Sequence, residues 1–201
     1  MKNIKAIIFD AYGTLFDVNS AAEKCKDKIG VKWEGFANYW RTTQLEYTWL
    51  RSLMKRHKDF WQVTEDSLDK SMKAYEIDSS MRNELLNLYK TLSPFKEVPE
   101  VLKSLKEKNF KLAILSNGTP HLLNELVKTN NLESIFDDIF SIEEVGVYKP
   151  DSKVYDIPIK KYQIQKNEVA FLSSNTWDVS GGGHYGYNSI WVNRNQNIFD
   201  N

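Results

Sequence analysis

Residues 4–16 read IKAIIFDAYGTLF, an apolar and largely β-branched run that ends on Asp10 and reaches a glycine at position 13. Four consecutive apolar residues, AIIF, without alternation, mark a strand buried on both faces. A carboxylate at the end of such a strand is costly unless it is paired or put to chemical use. What Asp10 does therefore depends on the sheet around it and on the residues that meet it there.

Four further segments of the same kind follow: KLAILS (111–116), DDIFS (137–141), EVAFLSS (168–174) and NSIWVN (188–193). Between them lie stretches with helical periodicity, VPEVLKSLKEKN, TPHLLNELVKTN and DSKVYDIPIKKYQ. Strands alternating with helices in this way predict a doubly wound α/β fold, a parallel sheet covered on both sides and joined by right-handed crossovers. The chain from about Asp17 to residue 92 breaks the alternation. It holds aromatic-rich helical patterns such as FANYWRTTQLEYTWLRSLMKR and SMRNELLNLYKTL, far more than one crossover needs. The expected organisation is an α/β core of residues 1–16 and 93–201, with a helical cap domain, 17–92, inserted after the first strand.

The 27 basic and 27 acidic side chains cancel and are scattered along the 201 residues, which argues against nucleic acid or an anionic membrane as partner. A small molecule is the expected ligand. AIIF is far shorter than the apolar core of a signal peptide, and no run approaches a membrane span. Cys25 is the sole cysteine, so no internal disulfide can form, which fits a reducing cytoplasm.

In open parallel sheets, ligands bind beyond the carboxyl ends of the strands. Four polar clusters fall there: Asp10 with Thr14, Ser116-Asn117-Gly118, Lys149-Pro150, and Ser173 to Asp178. Any one of them alone reads as ordinary turn and cap chemistry. Four in succession at one sheet edge do not. Taken together they resemble the four motifs of the haloacid dehalogenase superfamily, across nearly the whole chain. Tyr39-Trp40-Arg41 followed by Gln44-Leu45-Glu46-Tyr47-Thr48-Trp49-Leu50-Arg51 resembles, within that superfamily, the (S)-2-haloacid dehalogenases.

That resemblance implies a Rossmann-like core and a hydrolase in which Asp10 is the nucleophile and forms an aspartyl ester that water then cleaves. Phosphatases of the superfamily place an acid two residues after the nucleophile to protonate an alkoxide. Here the position holds Tyr12, a phenol with an ordinary pKa near ~10 and a poor acid at neutral pH. Phosphatases also bind magnesium with further carboxylates, and Ser174 stands at one of those positions. A halide departs without a proton or a metal, so no metal and no cofactor is implied.

The resemblance further implies roles for particular residues. Arg41 and Asn117 receive the halide, Lys149 is the cationic partner of Asp10, and Thr14 holds the attacking oxygen. Ser173 and Asn175 orient Lys149 and Asp178, and Asp178 positions the hydrolytic water. Ser116 binds the substrate carboxylate. Ala11, Tyr12, Leu45, Phe60 and Trp177 line the alkyl chain, with Tyr155 reaching in from the helix after Lys149. The substrate implied is an L-2-haloalkanoic acid, converted to the D-2-hydroxy acid, and a homodimer through the cap helices is compatible with the family pattern.

Two features depart from that pattern. Pro158 falls inside the helix that carries Tyr155, where proline removes a donor and crowds an earlier carbonyl. Thr42 and Thr43 follow Arg41 where longer polar residues are expected. Gly181-Gly182-Gly183-His184-Tyr185-Gly186 formally matches a dinucleotide fingerprint but lies at the wrong end of the chain, with no acidic residue about twenty positions on and no second half of a nucleotide fold, and reads instead as a helix packed close to the sheet. Two other readings stand beside the dehalogenase: a small-molecule phosphatase or phosphonate hydrolase of the same superfamily, and a binding protein that keeps the fold without its chemistry.

Overall fold

The computed structural model describes residues 3–194, 196, 198 and 199. The chain divides into two compact units, Met1–Phe16 with Pro94–Asn201, and Asp17–Ser93. The first unit begins with strand β1 (Ala6–Phe9). The second holds helices α1 (Ser20–Lys24), α2 (Lys26–Ile29), α3 (Trp33–Leu53), α4 (Phe60–Tyr75) and α5 (Arg82–Tyr89). The first unit then resumes with α6 (Val98–Glu107), β2 (Lys111–Ser116), α7 (Pro120–Thr129) and β3 (Asp138–Ser141), followed by α8 (Ser152–Tyr162), β4 (Val169–Ser173), α9 (Thr176–Tyr185) and β5 (Asn188–Trp191).

All four strand pairings are parallel, in the order β3-β2-β1-β4-β5. The five strands are the five apolar segments of the sequence. β1 is central, with Ile7 in register between Leu112 and Ala170, and each of its four residues is buried. That is why AIIF carries no polar face. The chain winds from β1 outward to β3, then crosses to β4 on the other side of β1, so Asp10 stands where the winding reverses direction, the place where doubly wound sheets open a crevice.

In the second unit the buried positions of α3 are Phe36, Ala37, Trp40, Thr43, Gln44 and Thr48, a spacing that lays one stripe along the helix. Trp40 packs 5.3 Å from the Tyr89 ring and donates its indole N–H to the Thr64 carbonyl at 3.2 Å. Asp59 caps α4 by accepting from the Gln62 amide at 2.9 Å. Ser93, assigned by sequence to the sheet domain, lies with this unit: its carbonyl accepts from the Asp17 amide at 2.8 Å, which closes the helical segment on itself.

Pro158 does not end α8, which runs on to Tyr162. The bond it forfeits is the one to the carbonyl of Val154, and Tyr155 projects from the turn before the proline's own position. The glycine run forms the later part of α9. A side-chain carbon on Gly182 would lie 2.7 Å from the Phe171 ring on β4 and 2.9 Å from Ser189 Oγ on β5, so the helix rests directly against the sheet.

Candidate active site

The carboxyl ends of β1, β2 and β4 are neighbours, and the polar clusters that follow them converge. Asp10 is 5% exposed. Its two oxygens are treated differently. Oδ2 accepts from Asn175 Nδ2 at 2.8 Å, Thr14 Oγ1 at 3.0 Å and Ser173 Oγ at 3.3 Å, whereas Oδ1 faces Lys149 Nζ at 3.2 Å.

Lys149 Nζ also reaches Asp178 Oδ2 at 2.9 Å, and both of those side chains are wholly buried. The ammonium lies 5.0 Å from the centre of the Phe171 ring. Burial pushes Lys149 down, but the two carboxylates outweigh it and hold the ammonium above lysine's ordinary range. Asp178 is pushed up to about 6, by burial first and by the nearby Asp10 charge, with Lys149 and the Tyr155 hydrogen bond pulling the other way. Tyr155 donates its hydroxyl to Asp178 Oδ1 at 2.7 Å, so the reach of this tyrosine survives the proline in its helix. Burial and the adjacent Asp178 charge raise the phenol far above its usual value and keep it a donor.

Asn175 decides between site and turn. It occupies the N-cap of α9, where asparagine ordinarily accepts from a backbone amide, yet its side chain makes no cap bond. The amide instead donates to Asp10 and, at 3.2 Å, to the Tyr12 carbonyl. Ser173 Oγ accepts from the Asn175 amide at 3.2 Å while donating to Asp10.

Asn117 Oδ1 accepts from the Lys149 backbone amide at 3.1 Å, tying the second cluster to the third. Ser116 Oγ accepts from the Gly118 amide at 3.1 Å. Ala11 and Tyr12 are buried, and Trp177 is half-buried at the start of α9. Arg41, Leu45 and Phe60 belong to the helical unit. Arg41 projects from α3 half-buried and donates from Nη1 to Gln44 Oε1 at 3.2 Å. Leu45 is half-buried, and Phe60 is buried at the start of α4.

Ser174 bonds to the loop after β1: its Oγ donates to the Gly13 carbonyl at 2.6 Å, and its amide donates to Thr14 Oγ1 at 2.8 Å. Both carboxylates of the cluster already meet Lys149. Among the described residues, no third carboxylate, histidine or cysteine joins them to make a cation site.

Some contributors are missed by the sequence reading. A side-chain carbon on Gly118 would lie 2.8 Å from the Tyr12 ring, and one on Gly181 would lie 2.5 Å from the Tyr155 hydroxyl and 2.6 Å from Pro150. Both glycines make room for an aromatic side chain of the cluster. Phe171 reads in sequence as an ordinary core residue, and nothing in its context marks it as the ring under Lys149.

The strand order and the convergence of four clusters at one sheet edge define a doubly wound α/β protein with an aspartate-centred active site. The chain belongs to the haloacid dehalogenase-like hydrolase family, which it matches over residues 4–186. It is 41% identical to the (S)-2-haloacid dehalogenase of Pseudomonas sp. (strain YL), covering 100% of this chain and 87% of that protein. It is 37% identical to (S)-2-haloacid dehalogenase 4A of Burkholderia cepacia, covering 97% and 85%. The solved L-2-haloacid dehalogenase from Xanthobacter autotrophicus with chloropropionic acid covalently bound is 37% identical, with a TM-score of 0.88, over 95% of this chain and 78% of that one.

Proposed function

We propose that this protein is an (S)-2-haloacid dehalogenase, a hydrolase acting on carbon-halide bonds that works without a metal. The observation that carries the reading is the inequality of the two oxygens of Asp10. Hydrogen bonds draw electron density from a nucleophile, so the oxygen with three donors, Oδ2, is the anchored one and Oδ1 attacks. On this reading Thr14 holds the oxygen that stays behind rather than the attacking one.

Oδ1 attacks C2 of the L-2-haloacid from the side opposite the halogen. The carbon-halogen bond breaks, the halide leaves with the electron pair, and an ester to Asp10 remains. Arg41 and Asn117 receive the halide as its charge develops. Water then gives a proton to Asp178 and adds to Asp10 Cγ. The negative charge of that addition falls on Oδ2, amid the donors Thr14, Ser173 and Asn175, which act as an oxyanion hole. Collapse breaks the ester bond, the departing oxygen takes the proton back from Asp178 to give the hydroxy acid, and Asp10 loses the remaining water proton to solvent and is a carboxylate again. C2 is inverted once and not touched again, so the product is the D-2-hydroxy acid.

Lys149 offsets the charge of an anionic substrate approaching an anionic nucleophile. Ser116 binds the substrate carboxylate, while Ala11, Tyr12, Leu45, Phe60 and Trp177 enclose the alkyl chain. Tyr12 in place of an acid suits a leaving group that needs no proton. Cys25 is a buried free thiol, as suits a cytoplasmic protein, and exposed Leu50, Leu53 and Met54 at the end of α3 suit a homodimer through the helical unit.

The test is halide release from racemic 2-chloropropionate in excess chelator. The expected result is release of about half the chloride, all from the L isomer, abolished in Asp10→Asn; a single turnover in oxygen-18 water should place the label first in Asp10 rather than in the product. Full activity in Asp10→Asn, or chloride release that requires added magnesium, would overturn the reading.

A further inference from the structure

The groups that hold Asp10 must themselves be held, and one such support comes from beyond the last strand. Arg194 lies three residues past β5, its side chain 16% exposed. Its guanidinium meets three groups at once. Nη2 donates to the Thr14 carbonyl at 2.5 Å, Nη1 pairs with Glu97 Oε1 at 2.6 Å, and the guanidinium carbon lies 3.6 Å from the centre of the Phe95 ring. A planar fork can bond two acceptors while stacking on a ring, which lysine's point charge cannot.

The three partners are not scattered. Thr14 is the residue whose hydroxyl meets Asp10 Oδ2. Phe95 and Glu97 lie on the segment by which the chain re-enters the sheet unit, and the Phe95 amide donates to the Leu15 carbonyl at 3.0 Å. The loop after β1 is closed within itself, with the Gly13 amide bonded to the Phe16 carbonyl at 2.8 Å and the Phe16 amide to the Ala11 carbonyl at 3.0 Å. Arg194 holds that closed loop from outside, at the residue whose hydroxyl donates to the nucleophile.

We propose that Arg194 is a positioning residue for dehalogenation: by fixing the Thr14 carbonyl it sets the peptide from which the Thr14 hydroxyl reaches Asp10 Oδ2. An ion pair with Glu97 alone would do little, since Glu97 is half exposed. The bond to a main-chain carbonyl makes the geometry matter, because small displacements of catalytic groups cost far more in rate than in stability. The inference rests on the dehalogenase reading above.

A double-mutant cycle tests it. Arg194→Met should lower kcat for L-2-chloropropionate about tenfold with KM within about twofold, and Arg194→Lys should show most of that loss. In a Thr14→Val background the same Arg194 substitutions should change kcat by less than about twofold, because the hydroxyl they position is gone. An equal loss in both backgrounds, or no loss in either, would overturn the proposal and leave Arg194 a structural residue. If Arg194→Met does not fold, Arg194→Lys carries the cycle. If the unsubstituted protein releases no halide from any 2-haloacid, the dehalogenase reading fails separately, and amide exchange then decides the grip. Exchange at Thr14 to Phe16 should quicken about tenfold in Arg194→Lys; unchanged exchange would dismiss it.

Discussion

Asp10 and Arg41 stand in opposite kinds of surroundings. Asp10 is met by side chains from residues 14, 149, 173 and 175, as far as 165 positions away in the chain. Arg41 donates to Gln44, one turn along the same helix, and Gln44 in turn bonds to Thr64 and Tyr89 on two other helices of the unit. In the sheet unit the segments after β1, β3 and β4 supply the members of a charged, almost wholly buried cluster, so every member depends on the others. In the helical unit the groups that Gln44 bonds on the other helices, Thr64 and Tyr89, are neutral, and α3 also packs through the rings of Phe36 and Trp40 against Tyr75 and Tyr89. The contrast predicts that substitutions in the two units will divide their effects between rate and stability in different proportions.

Lys149→Met should give the largest effect. It leaves Asp10 and Asp178 as neighbouring carboxylates without the cation between them. Removing one partner from a buried charge cluster costs about 3–5 kcal/mol of stability, which urea unfolding would read. Halide release should fall by at least about 10³-fold, since a cation preorganised beside the reacting groups is lost. A variant that keeps activity within about tenfold of the unsubstituted protein would show that the cluster tolerates loss of a member, and the contrast would break.

Gln44→Met tests the other side. Thr64 Oγ1 donates to the Phe60 carbonyl at 2.7 Å, so toward Gln44 it can only accept. That fixes Gln44 Nε2 toward Thr64, at 2.8 Å, and turns Oε1 to Arg41. Methionine fills the space but offers only the weak acceptor of a thioether. The expected result is a loss of about 1–2 kcal/mol in stability together with a fall in kcat of about tenfold, as the arginine loses its fixed orientation. Unchanged kcat with the same stability loss would make Gln44 a packing residue and leave Arg41 to other supports.

The same contrast governs what could be read from sequence. The five strands, their parallel pairing and the placing of Asp10, Ser116 and Ser173 at one edge follow from apolar runs that end in polar residues, whereas Lys149 comes eight residues after the end of β3. Strand ends are forced together by the sheet, so polar residues there must meet. Nothing comparable fixes partners inside the helical unit, where periodicity gives the buried stripe of α3 but not that Gln44 within it would turn its oxygen to Arg41. Pro158 shows the limit of a local rule, because its effect depends on which carbonyl it crowds, and Tyr155 lies clear of it. Gly118 and Gly181 read as turn and helix glycines, and only coordinates reveal the rings of Tyr12 and Tyr155 against them. Arg194 was illegible for a similar reason: the carbonyl it holds leaves no trace in the side-chain pattern.

The smallest effect expected at the pH optimum comes from Tyr155→Phe, and its value lies in the sign of a shift. Asp178 must be a carboxylate to take a proton from water, so activity falls on the acid side as it becomes protonated, with an apparent midpoint near the value of about 6 to which burial raises it. The Tyr155 hydroxyl donates to Asp178 Oδ1 at 2.7 Å, which favours the charged form and holds the carboxyl lower than burial alone would. Phenylalanine removes that bond while keeping the ring. The acid limb of the kcat profile should therefore move to higher pH, by about half to one unit, with a loss of only a few-fold above it. Gln44→Met alters no partner of Asp178 and should leave the limb in place. An acid limb that stays put in Tyr155→Phe, or moves to lower pH, would separate Asp178 from the proton transfer and return the role of base to another group.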